Sequence, residues 1–377
     1  MKETGKKVLK ILRIVFIVFT AIIAFSMLLS AYAGRVNPVE SARPALLGMC
    51  FPILLTLCGI CLIAWLCLRQ WKIAIIPLAG MILSAGPILI FSPVNFGFHT
   101  LSDDEKPRSF TLLQYNVMNF EDIDGLHCDD NRTMRYILNT DADMVNMQEC
   151  SALEPFQQMP WLKPILDEVK KKYVYRDTLF HDNILMSKYP FTVVTDSILS
   201  HSYKNGNYAG CTIYKVNVRG KQLMIVNVHL QSIGLTEEDK KLYHELTELK
   251  KLDTYEDLHD VKATLLTKLS LAFKRRAGEA RMIRDYIDTC KVKNLIISGD
   301  FNDTPDSYSY RVLRGNDMND AYSDCAFGPT ITYHANRFYF RIDQVMYRGD
   351  LKAVKIKREH GGASDHYPLL TTFVWNK

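Results

Sequence analysis

The sequence predicts a mixed α/β domain with mostly antiparallel β-sheets, preceded by a bundle of about three transmembrane helices. Three observations lead there. The N-terminal hundred residues hold three long runs without a charged side chain. From Phe110 onward, short β-rich runs alternate with amphipathic stretches, and polar residues recur directly after the apolar runs.

The apolar runs are Ile14–Ala33, Pro44–Leu68 and Ile73–Phe98. Each reaches the roughly 20 apolar residues that a helix needs to cross a bilayer core, and a core helix of a soluble protein is usually shorter. Pro77, Gly80, Gly86, Pro87 and Pro93 interrupt the third run, so its helix is expected to kink or to end near residue 95. Lys2, Lys6, Lys7, Lys10 and Arg13 precede the first helix and set the N-terminus on the cytoplasmic side. Three crossings then put everything after about residue 98 on the outer face. In an alternative reading the first run is a signal peptide cleaved after Ala31-Tyr32-Ala33, which leaves two crossings and the same final location. Residues 1–100 are thus expected to be a multi-pass membrane anchor and residues 101–377 an extracytoplasmic domain.

Charge partition limits the partners. The chain has 46 Lys and Arg against 41 Asp and Glu, but residues 1–100 hold nine basic and two acidic side chains, and residues 101–377 hold 37 and 39. The C-terminal part is slightly acidic and has no overall field to draw in polyanions. Local patches remain at Lys170-Lys171-Lys172 and Lys274-Arg275-Arg276. Cysteine adds little: Cys58-x-x-Cys61 lies in an apolar run and reads as helix packing, and the five cysteines beyond residue 100 are an odd number, so no disulfide framework is indicated.

In the C-terminal part, strands are expected over Phe110–Val117, Met144–Gln148, Asn183–Ser187, Cys211–Val218, Gln222–His229, Leu295–Ser298, Ile342–Tyr347, Lys352–Arg358 and Leu369–Val374. Helices are expected over Thr133–Asn139, Lys163–Lys172 and the long stretch from Thr236 to Cys290. Arg219-Gly220 reads as a hairpin turn. Residues 236–276, rich in Glu, Lys and Leu, form a helical insertion that reads as a solvated hairpin or as a lid.

The ends of the strands carry the chemistry. Gln114-Tyr115-Asn116, Gln148-Glu149, Asn227-Val228-His229-Leu230, Gly299-Asp300-Phe301-Asn302, Arg341-Ile342-Asp343 and Ser364-Asp365-His366 each follow or close an apolar run. Singly, each has an ordinary explanation as a cap, a surface charge or a buried histidine. Together, the acids Glu149, Asp300, Asp343 and Asp365, the amides Asn116 and Asn302 and the histidines His229 and His366 suit a hydrolase that uses a hard divalent ion on a phosphate. They supply oxygen ligands, a water activator and donors to an oxyanion.

In that order, the six motifs resemble the endonuclease/exonuclease/phosphatase superfamily, which includes pancreatic deoxyribonuclease, abasic-site endonucleases, neutral sphingomyelinases and inositol polyphosphate phosphatases. The resemblance covers roughly residues 108–377 and implies a four-layer α/β sandwich, two central β-sheets flanked by helices, with the site at one edge of the sheets. It implies that Glu149 is the principal ligand of Mg²⁺, with Mn²⁺ as the alternative, and that Asn116 and Asp365 complete or support the metal shell. Asp300 would deprotonate the attacking water, and Asn302 would hold the nucleophile or a phosphate oxygen. His366, paired with Asp343, would donate to the phosphate, and His229 matches a second histidine of the deoxyribonuclease and sphingomyelinase branches. The stretch His181–Pro190 reads as structural, and Arg276-x-x-Glu279 departs from the Arg-x-x-Gln of relatives; both stay outside the expected site.

The expected reaction is in-line hydrolysis of a phosphoester, in the first place a phosphodiester. The superfamily's substrates vary, so nucleic acid and phospholipid head groups both remain open. A non-catalytic binding module of the same fold is the alternative from another class.

Overall fold

The computed structural model describes residues 2–97, 99–121, 131–150, 163–177, 182–194, 210–234, 255–335 and 339–377. At the N-terminus, helices α1 (Lys2–Ala31), α2 (Arg43–Gly48), α3 (Phe51–Cys67), α4 (Trp71–Leu83) and α5 (Ala85–Phe91) pack together. Gly80 lets α4 approach α1 closely, since a Cβ there would sit 3.3 Å from that of Ala24. Trp65 donates its indole N–H to Thr20 Oγ1 at 2.9 Å.

Three full-length spans are not what these residues form. One helical stretch, Thr4–Arg35, is long and apolar enough to cross a bilayer; α3 has 17 residues, and α4 with α5 make a pair bent by 67°. The second apolar run splits at Met49-Cys50, and Phe51 and Pro52 open α3. The third breaks at Ser84, because Pro87 has no N–H to give to the carbonyl of Leu83. That carbonyl accepts the Tyr32 hydroxyl at 2.6 Å instead.

The rest of the chain builds two six-stranded sheets. The first has the order β11 (Leu351–Arg358), β12 (Leu369–Trp375), β1 (Ser109–Asn116), β2 (Met144–Gln148), β4 (Ile184–Ser187), β3 (Tyr175–Arg176). The second has β5 (Phe191–Val193), β6 (Cys211–Val218), β7 (Lys221–His229), β8 (Leu295–Asp300), β10 (Asp343–Arg348), β9 (Asn319–Asp320). Each sheet has one parallel pair, β1 with β2 and β7 with β8; the other pairings are antiparallel.

Period-two alternation sorts the side chains into layers. Leu112 and Met144 face inward and meet Tyr214, Val216, Ile225, Ile296 and Val345 of the other sheet. Their neighbours Leu113 and Val145 face outward and pack under α6 (Arg132–Thr140) and α7 (Lys163–Lys172) through Met134, Ile137, Ile165 and Val169. On the far side, Met224, Val226 and Ile297 pack under α8 (Tyr255–Cys290) and α9 (Tyr308–Arg314) through Ala280, Ile283, Ile287 and Leu313. Helix, sheet, sheet and helix therefore stack in four layers, with a short helix α10 (Ala321–Cys325) at the edge. Of the expected insertion, residues 236–254 lie outside the described residues, and the remainder is the first part of α8, a continuous helix of 36 residues.

The N-terminal helices dock on this sandwich. Buried Arg341 forms an ion pair with buried Asp320 at 3.0 Å and donates to the carbonyl of Ile90 in α5 at 3.2 Å. Asn95 donates to the carbonyls of Ser323 and Ala326 at 2.8 and 2.9 Å.

Candidate active site

Strand register assembles the site. In the second sheet His229 lies opposite Asp300, and Asp300 opposite Asp343, so three residues from distant parts of the sequence stand abreast on β7, β8 and β10. Asn116 and Gln148 end the neighbouring parallel pair in the first sheet. Gly299 makes the close pairing possible: it sits opposite Val228 with φ +156°, and a Cβ would overlap the Val228 backbone.

Beneath these residues the space between the sheets turns from apolar to polar. Gln148 donates to Asn227 Oδ1 at 2.6 Å and Asn146 to Ser298 Oγ at 2.7 Å. Gln114 reaches Asp343 Oδ1 at 3.3 Å. This buried amide network fixes the floor of the site.

Asp300 is its centre. The carboxylate is buried, and Oδ1 accepts the backbone N–H of Asn302 at 2.7 Å, a contact that the left-handed backbone of Asn302 (φ 51°) permits. Oδ2 accepts the amide of Asn116 at 3.1 Å and lies 3.6 Å from His366 Nε2 and 3.9 Å from His229 Nε2. Burial pushes the Asp300 carboxyl up, against the pull of the two histidines.

Each histidine is held by its own acid. His366 Nδ1 bonds Asp343 Oδ2 at 2.9 Å, and the ring packs edge-on against Tyr333 at 5.0 Å. Burial alone would lower this imidazole, but Asp343 and Asp300 outweigh it and hold it up at about 10. His229 Nδ1 bonds Asp182, and its Nε2 stands 3.8 Å from Glu149 Oε1. Here too burial is outweighed, by Asp182, Asp300 and Glu149, and the imidazole is held at about 9.

Glu149 takes a left-handed backbone (φ 55°) just beyond β2 and accepts the Asn116 amide at 3.0 Å. It remains one-third exposed, whereas Asp300 and Asp343 are sealed at 2%. Asp365 and Asn302 line the same cleft, of about 430 Å³. Among the described residues no three His, Cys, Asp or Glu side chains are close enough to hold a metal by themselves. The donor chemistry still fits a hard divalent ion: Mg²⁺ keeps most of its waters and is commonly held by one or two carboxylates, and Glu149 is a carboxylate that solvent reaches.

All eight residues expected from the sequence come together. Asn302 uses one amide hydrogen on the Leu230 carbonyl at 2.9 Å. Sequence reasoning missed Asp182, set aside with the stretch around Asn183, and Tyr333. Arg276, set aside because of Glu279, is buried at the edge of the cleft and paired with Asp303 at 3.2 Å, while Glu279 accepts the N–H of Gln231. Arg341 of the Arg-Ile-Asp motif points away from the site, to Asp320.

The model of the Endonuclease/Exonuclease/phosphatase family matches residues 113–366, from β1 to His366. The chain belongs to this family. A model of a domain of unknown function (DUF8431) matches residues 12–91. Family members are phosphoester hydrolases, and the family's span takes in every residue of the cluster around Asp300. A search of curated proteins finds no match. Among solved structures the family protein of Beutenbergia cavernae is 17% identical with a TM-score of 0.46, covering 71% of this chain and 72% of its own. That of Bacteroides thetaiotaomicron is 16% identical with a TM-score of 0.44, covering 71% and 98%. ANGEL2, a 2',3'-cyclic phosphatase solved with adenosine-2',3'-vanadate, is 13% identical with a TM-score of 0.43, covering 71% and 96%.

Proposed function

We propose that this chain is a divalent-metal-dependent phosphoester hydrolase, held at a membrane, that cleaves by in-line attack of a water activated by Asp300. The observation that carries the reading is the environment of Asp300: a sealed carboxylate, oriented by Asn116 and Asn302, between two histidines that their own acids keep protonated.

Glu149, with Asp365 and Asn116 in support, would hold the metal; Mg²⁺ is the first choice and Mn²⁺ the second. When bound, the ion neutralises charge that grows on the phosphoryl oxygens. The chain's own groups do the rest. Asp300 takes the proton of the attacking water as the new O–P bond forms, and its raised pKa suits a base that works near neutrality. His366 presents an N–H to a phosphoryl oxygen. The ester P–O bond opposite the water breaks, and the leaving oxygen takes a proton from His229.

The membrane reading rests on the N-terminal helices. Their outward faces are apolar, with Leu9, Phe25, Ile53, Ile63 and Ile82 all more than half exposed, a surface that matches lipid tails. The lysines in the first turns of α1 orient it with the N-terminus inside, and α1 as the full-length crossing then puts the catalytic domain outside.

The test is Mg²⁺-dependent hydrolysis of bis(p-nitrophenyl) phosphate by the full-length protein in detergent. Asp300→Ala and His366→Ala should each lose about 100-fold or more with an unchanged melting temperature. Wild-type turnover by either variant would sink the assignment. For location, the protein should stay in the membrane pellet after an alkaline wash, and protease added to intact cells should digest residues 101–377.

A further inference from the structure

The N-terminal segment supplies a wall of the catalytic cleft. Met49, in the corner between α2 and α3, lines the same cleft as Glu149, Asp300 and His366. With it stand Ile233, Leu269, Phe273 and Phe340, so one side of the site is apolar although its floor is carboxylate and imidazole. Leu266, one turn before Leu269 on the same face of α8, is about half exposed, at 49%. Apolar surface therefore continues from the cleft onto the outside of α8.

The described charges around the cleft do not favour a long polyanion. Among the described residues its lining includes Glu121, Glu149, Asp300, Asp303 and Asp365 and no lysine. The one arginine among the described lining residues, Arg276, is 1% exposed and spent on Asp303. A nucleic acid strand needs cationic contacts for the phosphates on either side of the one being cleaved. This cleft accommodates a single phosphoester and offers its neighbours hydrocarbon.

We infer that the substrate is a membrane lipid, whose phosphoester head enters the cleft while the beginning of its hydrocarbon tail lies against Met49, Leu269 and Phe273. This rests on the hydrolase and membrane readings above and goes beyond them in naming the substrate class. The anchor then has two roles: it keeps the site at the bilayer, and it forms part of the substrate's binding surface. The bonds made and broken are those of the hydrolysis already described, with water as the only co-reactant.

The experiment uses the full-length protein in mixed micelles of nonionic detergent with phosphatidylcholine, phosphatidylethanolamine, phosphatidylglycerol or sphingomyelin. Parallel reactions contain single-stranded or duplex oligonucleotides, and bis(p-nitrophenyl) phosphate serves as the tail-free reference. Products are identified by mass spectrometry. The expected result is cleavage of at least one lipid and none of the oligonucleotides. The ratio of lipid to reference turnover should fall about tenfold or more in Met49→Glu and in Leu269→Glu and return in Met49→Leu. Reference turnover without lipid cleavage, preferential cleavage of oligonucleotides, or an unaltered ratio in both Glu variants would overturn the inference and leave the hydrolase reading standing. Loss of all turnover in wild type would remove the hydrolase reading and this one with it.

Discussion

Gly34 lies directly over the backbone of Ser307: a Cβ at position 34 would come within 2.6 Å of the Ser307 carbonyl oxygen and closer still to that of Asp306. The contact joins the turn after α1 to the loop that runs from Asp300 and Asn302 down to α9. A residue just past the first helix thus braces the loop that follows Asp300.

Gly34→Val should therefore lift the N-terminal segment off that loop. Overpacking of this kind costs about 1–3 kcal/mol. Thermal unfolding should show a lower melting temperature, and phosphoester turnover should fall with it; a variant with wild-type values for both would show that the two parts do not support each other.

Asp306 makes this junction sensitive to pH. Its Oδ2 is shut away from solvent without a hydrogen-bond partner, 3.0 Å from where a Cβ of Gly48 would lie. Burial pushes the carboxyl up to about 7, with a lowering contribution from Thr304 and a raising one from Asp303. The folded protein then binds more protons than the unfolded chain between its ordinary value of 3.8 and about 7. The contribution of Asp306 to stability is thus full below that range and lost as the pH rises through it. Asp306→Asn should flatten the fall and be more stable than wild type at pH 8, measured by urea unfolding across that range.

The Arg341–Asp320 pair is sealed, at 1% and 0% exposure, and Arg341 also grips the Ile90 carbonyl. Removing one partner of such a pair leaves a buried charge and costs about 3–5 kcal/mol. Asp320→Asn should lose that much in chemical denaturation, and Arg341→Met with Asp320→Leu together should lose less.

Asp182 acts through His229. Asp182→Asn leaves the imidazole without its charged partner and lowers the fraction protonated near neutrality. The expected result is a kcat reduced by about one to two orders of magnitude with little change in KM for bis(p-nitrophenyl) phosphate and none in melting temperature; a raised KM at constant kcat would make Asp182 a binding residue instead.

Glu149 gives a readout independent of turnover. Millimolar Mg²⁺ should raise the melting temperature of the wild-type protein and not that of Glu149→Gln, because a ligand stabilises only the state that binds it. An equal shift in both would place the metal elsewhere.

The sequence by itself determined much of the sandwich. Short apolar runs mark β1, β2, β6 and β7 nearly to their ends, because strands covered on both faces of a sheet are buried along most of their length. It also picked out the eight residues that the fold gathers around Asp300, since strand ends are where a sheet presents polar groups, and the ordered motifs up to His366 repeat that pattern six times. Short β3, β5 and β9 carry too few residues for a period to register.

Only the tertiary structure decided the partners. Asp182 meets His229 across 47 residues of sequence, Arg341 meets Ile90 across 251, and Met49 reaches the cleft from a segment that local hydropathy marks only as apolar. The break at Ser84 is of the same kind: Pro87 frees a carbonyl, but the hydroxyl that satisfies it comes from Tyr32, just past the end of α1. Local pattern fixes which face of an element is apolar, while the neighbour that covers that face is set by how the elements pack.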